Sequence, residues 1–223
     1  MSTNRLALRL ALIGLCLQAM HQPLRAQPLT RTVALIGDDA PGTPLGVVFA
    51  WGMEQAVIDS AGDIAFWSML AGPGIGDPYQ NAGIWLRSGA GLALVARGLQ
   101  PAPGMPQGVY FNRISSSGLV LADTGLVGFQ TGLDDPVFYP VNVPSAWVGT
   151  PNDIAAIVRR GDHAPGTPPN VVFGTPFSAS SFYISGPAIN SAGQSVFSAQ
   201  LESPQIIDNQ NGVWTGRLVA YIW

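Results

Sequence analysis

The chain has 223 residues, of which 47% are hydrophobic and only 10% charged, so it is not a solvated disordered segment. Its formal net charge of −3 excludes a basic nucleic-acid-binding surface, and its single Cys excludes a disulfide framework and a multi-thiolate zinc site. No apolar run reaches the roughly 18–20 residues that a membrane-spanning helix needs. The composition therefore indicates a folded domain that is rich in glycine and proline.

The N-terminal segment has the pattern of a secretory signal peptide. Two arginines precede the short apolar run Leu10–Leu17, and the small residue Ala26 stands at the point of cleavage. We therefore predict a signal peptide at residues 1–26 and a single β-repeat domain at 27–223. The predicted location is extracellular, at the cell surface or in the periplasm. A short N-terminal helix of the folded protein is the alternative interpretation.

The remainder of the chain repeats itself with a period of about 62 residues. Ala-Pro-Gly begins at Ala40, Ala102 and Ala164, and each copy is followed by an apolar run that ends in Phe. A Gly with a Phe four residues later comes next, then a Trp, then an aliphatic run. These landmarks are Gly62, Phe66, Trp85 and Leu92–Ala96, then Gly125, Phe129, Trp147 and Ile154–Val158, then Gly193, Phe197, Trp214 and Leu218–Ile222. A fixed period of this length predicts one supersecondary module copied three times.

Each unit has the chemistry of short strands joined by tight turns. The apolar run Ala56–Ile58 leads into a turn at Asp59–Gly62, where the Asp side chain can cap the backbone and Gly accepts a positive φ. Both faces of Ile64–Met69 are largely apolar, which is typical of a strand buried between neighbouring sheets. We predict an all-β fold of tandem four-stranded repeats, β-propeller-like with three blades. The units span about 31–94, 95–157 and 158–223, with long loops at Tyr79–Asn81, Pro136–Pro144 and Pro204–Gln210 and an insertion at Phe177–Tyr183.

The recurring Asn/Asp-x-x-Gly-x-x-Ala/Val-Phe motif resembles the bacterial choice-of-anchor tandem-repeat proteins that are named for NxxGxxAF. The resemblance covers roughly Thr30–Trp223. It implies an exported bacterial protein, often surface-anchored, with propeller-like architecture and no established activity. Members of that family usually carry more repeats, and many end in an anchoring tail. The matching residues are Asp59, Gly62, Ala65 and Phe66 in the first unit, Gly125 and Phe129 in the second, and Asn190, Gly193, Val196 and Phe197 in the third.

The two ends of the repeated region raise the question of closure, because closed propellers typically have four to eight blades. Thr32–Ile36 resembles the closing strand of a unit, and Leu218–Ile222 would leave an apolar edge strand that can pair with another chain. Three explanations are open. The chain is a truncated gene product with an incomplete ring, it has a different β fold such as a barrel or a sandwich, or it self-associates through Leu218–Trp223.

Residues with catalytic or ligating potential are few. His163 follows Asp162, but neighbours on an extended chain point in opposite directions and there is no Gly-x-Ser-x-Gly motif, so an exposed loop histidine is the favoured interpretation. Asp38, Asp39 and Asp162 carry the oxygens that Ca²⁺ prefers, yet they form no Asp-x-Asp-x-Asp series, so turn capping is favoured. The sequence therefore predicts no catalytic residue, no metal site and no cofactor.

The Trp residues fall into two groups. The members of one recur once per unit inside an apolar strand, which predicts core packing rather than stacking on sugars. The members of the other do not recur, which makes them candidates for exposed aromatic contacts. The recurring group is Trp85, Trp147 and Trp214, and the other is Trp51, Trp67 and Trp223.

The lack of a catalytic constellation favours a non-enzymatic exported scaffold that binds through its loops. The predicted partner is an envelope protein or an extracellular glycan, with no nucleic acid and no membrane span. One alternative is an extracellular glycan hydrolase or lyase, which requires two carboxylates about 5–10 Å apart in a cleft. Another is a structural surface protein that self-assembles through bare edge strands.

Overall fold

The computed structural model describes residues 30–76, 81–134, 142–174, 184–203 and 210–217. Every helix or strand element in these ranges is a β-strand, and the strands pair in antiparallel fashion. They form three sheets, which follow one another within one compact unit, Ala34–Trp223. The chain also has a first unit, Met1–Val33, of which residues 30–33 are described. These four residues have no regular secondary structure. The predicted all-β class is therefore confirmed.

The first two sheets share one strand order, and the described strands of the third follow the same order. The first contains β1 (Val48–Phe49), β2 (Glu54–Ile58), β3 (Ile64–Ala71), β4 (Ala82–Ser88) and β5 (Gly91–Arg97). The second contains β6 (Tyr110–Ile114), β7 (Val120–Leu121), β8 (Val127–Asp134), β9 (Asn142–Thr150) and β10 (Asp153–Arg159). The third contains β11 (Val172–Phe173), β12 (Ala188–Ile189), β13 (Gln194–Glu202) and β14 (Gln210–Arg217).

The edge of each sheet is a divided strand. In the first sheet β1 pairs with the end of β3 and β2 pairs with its beginning, so the two short strands share one edge position. The same division holds for β6 and β7 along β8, and for β11 and β12 along β13. Each of the first two sheets therefore has the predicted four strand positions, filled by five strands.

An aromatic triplet recurs in each sheet. It consists of a Phe from the edge strand, a Phe from the central strand and the recurring Trp. The edge Phe meets the Trp edge-on, with ring centroids 4.8 Å apart in all three sheets. The prediction that the recurring Trp residues pack internally is confirmed, since Trp85 and Trp147 are fully buried and Trp214 is half-buried. The triplets are Phe49, Phe66 and Trp85, then Phe111, Phe129 and Trp147, then Phe173, Phe197 and Trp214.

The sheets stack face to face in chain order, like the blades of a propeller. One core lies between the first and second sheets and includes Ala65 and Trp67 of β3 and Phe129 of β8. A second core lies between the second and third sheets and includes Ala146 of β9 and Phe197 of β13. In both cores the aromatic triplet of the later sheet packs against the face of the earlier sheet that does not carry that sheet's own triplet. A central strand of an earlier sheet therefore needs apolar residues on both of its faces.

The stacking corrects one aromatic prediction. Trp67 was expected among the exposed aromatic contacts, but it is only 7% exposed. Its indole Nε1 donates a hydrogen bond to the carbonyl oxygen of Ile114 in the second sheet, at 2.9 Å. The second sheet covers this face of β3, so a Trp that does not recur in the sequence is nevertheless a core residue.

One predicted strand and one predicted loop end are also wrong. Thr32–Ile36 is not a strand: Leu35 and Ile36 are 57% and 62% exposed, because no earlier sheet in the described part of the chain offers them an edge. The loop predicted to extend to Pro144 ends sooner, since β9 begins at Asn142. Pro144 has no N–H to donate, but its carbonyl oxygen still accepts a hydrogen bond from the Arg160 N–H at 3.0 Å.

Several predicted features lie outside the described residues. They are the signal peptide at 1–26, the insertion at Phe177–Tyr183, the closing run and proposed association segment within Leu218–Trp223, and Trp223 itself. Within the ranges that are described, we find no helix of the length and apolarity required to cross a membrane.

Candidate functional site

Each sheet carries an exposed loop made of two successive turns, and these loops are the most regular surface feature. In the second sheet, the Met105 N–H donates to the Ala102 carbonyl at 3.2 Å and the Val109 N–H donates to the Pro106 carbonyl at 3.2 Å. Proline inside the first turn presets φ, and the following Gly104 has φ +71°, as a type II turn requires. The corresponding turns run from Ala40 to Val47 and from Ala164 to Val171, and each loop also includes the three residues that precede its first Ala.

The acidic residues of these loops cap the backbone. The Asp38 carboxylate accepts a hydrogen bond from the Leu35 N–H at 2.8 Å, and the Asp162 carboxylate accepts one from the Arg159 N–H at 3.0 Å. The predicted turn-capping role is therefore confirmed for both. No group of three or more His, Cys, Asp or Glu side chains within the described ranges is arranged to hold a metal ion.

His163 lies in the loop of the third sheet and is exposed, as predicted. Its Nε2 is 3.2 Å from the carbonyl oxygen of Pro168, so the imidazole rests against its own loop. On its backbone, His163 forms a bridge with Val172. Among the described atoms, the ring therefore approaches its own loop at Pro168, while the neighbouring Asp162 carboxylate binds Arg159.

The loop of the second sheet departs from the other two. Leu99 stands where they have Gly37 and Gly161, and it retains their positive φ, at +64°. A branched side chain in this region costs about 1 kcal/mol or more, so the loop is locally strained. Gln100 replaces the capping aspartate, and its Oε1 accepts the Arg97 N–H at 3.0 Å.

The replacement of this aspartate by Gln100 means that Arg97 lacks the carboxylate partner that Arg159 has in the third sheet's loop. In the third sheet's loop, Asp162 also binds Arg159 Nε at 3.3 Å. The equivalent Arg97 faces a neutral Gln100, and its buried Nε has no hydrogen-bond partner among the described atoms. The second loop is thus both strained and less acidic than its two counterparts.

A cleft of about 440 Å³ opens beside this irregular loop. One wall belongs to β5 of the first sheet and the other to the turn between β9 and β10 of the second. Gln100, Asn152 and Asp153 supply amide and carboxylate groups, and Asp153 is the one carboxylate among the described lining residues. The apolar lining consists of Leu94, Val95, Phe111, Ile154 and three prolines, Pro101, Pro103 and Pro151.

The cleft can hold a ligand by combining hydrogen bonds with apolar contact. Planar amide and carboxylate groups bind hydroxyl or amide groups, and proline and aliphatic side chains cover C–H surfaces. Sequence reasoning did not single out Asn152 or Asp153. The available signal was Leu99-Gln100, which breaks the Gly-Asp pattern of the other two loops.

The turns at one end of the first two sheets are joined by a charged hydrogen bond. The Ser60 N–H donates to Asp123 Oδ1 at 2.9 Å. This backbone bond lowers the pKa of Asp123 below its ordinary value, the Ser60 hydroxyl lowers it further, and desolvation opposes both. The bond links neighbouring sheets across their exposed turns.

We expect the stabilising effect of Asp123 to depend on pH. Because folding lowers its pKa, the contribution is present above the ordinary pKa of an Asp side chain and is lost as pH falls through the lower folded pKa. The free energy of unfolding of Asp123→Asn should therefore lie below that of the native chain at neutral pH and converge with it in acid. Urea unfolding across this pH range measures the difference, and a pH-independent difference would contradict the assignment.

The comparisons with known proteins give a single result. No curated protein and no solved structure matches the chain. Residues 24–219 match a family of unknown function, which covers all three sheets and the cleft between the first two. The chain therefore belongs to the family of unknown function DUF7453.

Proposed function

We propose that this protein is an exported β-repeat scaffold that binds an extracellular glycan in the cleft between its first and second sheets. The predicted signal peptide and the resemblance to NxxGxxAF repeat proteins support export, to the cell surface or the periplasm. The recurring exposed loops support a role in binding, because rigid sheets commonly present ligand contacts on their connecting loops.

The observation that carries the proposal is the lining of the cleft. Asn152 and Asp153 offer hydrogen-bonding groups at exposed positions, and Gln100 adds an amide. Pro101 and Pro103 offer flat apolar surface of the kind that covers the C–H face of a sugar ring. A strained residue, Leu99, adjoins this lining, and backbone strain is often retained where a loop serves a ligand.

The test is a thermal-stability screen of the purified chain against soluble oligosaccharides, followed by calorimetry. A ligand at about 100 times its Kd should raise the free energy of unfolding by about 2.7 kcal/mol. Asp153→Ala and Asn152→Ala should weaken binding about tenfold or more, since each removes a hydrogen-bonding group.

The matched control is Gln107→Ala, at the exposed tip of the same sheet's double-turn loop and outside the cleft lining. It should bind as the native chain does. If Asp153→Ala and Asn152→Ala bind the glycan as tightly as the native chain does, the cleft is not the binding site. A screen in which no glycan stabilises the chain would overturn the glycan assignment.

A further inference from the structure

The same apolar position of the repeat contacts the preceding sheet at both places where two sheets pack together. Ile58, Leu121 and Ile189 each stand directly before the turn that leads into the central strand. Leu121 packs against the core between the first and second sheets. Ile189 lies over the second sheet so closely that a Cβ on Gly128 would be only 2.9 Å from its Cδ1. This position is therefore the one that each later sheet presents to the earlier one.

The first sheet presents the same position to solvent. Ile58 is 67% exposed, although its equivalents in the other sheets are half-buried. The aromatic triplet behind it is already enclosed, with Trp85 fully buried and its Nε1 bonded to the Pro41 carbonyl at 3.0 Å. The strand β2 and its turn are therefore the part of this sheet that remains open to a partner.

The third sheet leaves open the face that corresponds to the one which Ile189 covers on the second sheet. Val196 stands where Gly128 stands in the second sheet, and it is 37% exposed. Val213 on the same face is 72% exposed. A hollow of about 560 Å³ lies around Val196, and its lining includes Ala188, Gln194, Thr215 and Gly216. On the second sheet, the place that corresponds to this hollow is covered by Ile189.

We propose that a second copy of this chain docks head-to-tail, with Ile58 of one copy entering the hollow around Val196 of the other. We infer that the hollow is filled by a second copy because both contacts between sheets inside the chain use this apolar position, through Leu121 and through Ile189. Ile58 is the residue at the same position in the first sheet. When each chain fills the hollow of its partner, two such contacts close a dimer with six sheets, within the range of closed propellers. The proposal is independent of the glycan cleft, which lies between the first and second sheets.

The composition of the open face suits reversible association. Besides Val196 and Val213, it carries polar side chains such as Ser198, Asn211 and Thr215. Interfaces of proteins that also exist alone are about as polar as ordinary surface, whereas permanent interfaces are more apolar. We therefore expect an equilibrium between one and two chains that depends on concentration.

Sedimentation velocity of the purified full chain, without glycan, tests the proposal. The native chain should move from the mass of one chain toward that of two as concentration rises. Ile58→Arg and Thr215→Glu should each raise the dissociation constant about tenfold or more, and in a mixture of the two the altered residues carry opposite charges. An equimolar mixture of the two variants should associate again, because it retains one intact contact. Tyr110→Arg, at a 40% exposed site in the second sheet, is the matched control and should behave as the native chain.

Circular dichroism of each variant separates loss of association from loss of folding, and Ile58→Ser replaces Ile58→Arg if the latter unfolds. A native chain that keeps the mass of one chain at every concentration overturns the proposal. A dimer that neither variant weakens also overturns it. A mixture that fails to associate, while each variant alone is weakened, rules out the head-to-tail geometry.

Discussion

Replacing Trp147 with alanine should lower the free energy of unfolding by about 3–5 kcal/mol. The indole is fully buried between the first two sheets, meets Phe111 edge-on with centroids 4.8 Å apart, and donates from Nε1 to Ser145 Oγ at 2.9 Å. Alanine removes these contacts and leaves a cavity that rigid strands on both sides cannot fill. Urea unfolding, followed by tryptophan fluorescence and circular dichroism, measures the loss.

The control for this variant is Trp51→Ala. Trp51 is 61% exposed, so its replacement should change the free energy of unfolding by no more than about 0.5 kcal/mol. Equal losses for the two variants would show that Trp147 does not have the core role that its burial indicates. A small loss for Trp147→Ala alone would mean that the first two sheets can repack around the space.

Replacing Gly62 or Gly193 with valine should cost more than about 1 kcal/mol at each site. Both glycines end the tight turn before a central strand, with φ of +86° and +72°. A β-branched residue is strongly disfavoured at such angles. Gly193→Val should cost more than Gly62→Val, because a Cβ at Gly193 would lie 3.2 Å from Leu126 Cδ1, whereas none of the described atoms lies within 4 Å at Gly62.

Gly89→Val separates strain from crowding. Gly89 also has open space around its Cβ position, but its φ is outside the left-handed region. It should therefore tolerate valine far better than the two turn glycines. If all three variants have the same midpoint of urea unfolding, the positive φ of the turns does not limit stability.

The turns and the aromatic triplets could be predicted from the sequence because their causes are local and are repeated. A Gly that needs a positive φ and a Phe four residues later specify a turn and the inward face of the following strand, whatever the rest of the chain does. Three copies of that pattern place Phe66, Phe129 and Phe197 alike within their triplets. Each lies against the edge-strand Phe of its own sheet, with ring centroids 5.6, 6.2 and 5.8 Å apart and ring planes inclined by 60°, 64° and 64°.

The cleft could not be predicted in this way. Gln100 and Asp153 are more than fifty residues apart in the chain, and they meet only because β5 ends beside the turn between β9 and β10. Their spacing matches no motif. The departure of Leu99-Gln100 from the pattern of the other loops marks one wall, but nothing local marks Asn152 and Asp153 as the other.

The sequence by itself determined the all-β class, the turns and the modular triplets, because these follow from backbone conformations and side-chain spacing within a few residues. Only the tertiary structure decided which apolar side chains are buried. Trp67 and Ile58 both belong to strands of the first sheet, yet the former is 7% exposed and the latter 67%. The difference arises because burial depends on whether another sheet faces the residue: the second sheet covers Trp67, and none of the described sheets covers Ile58.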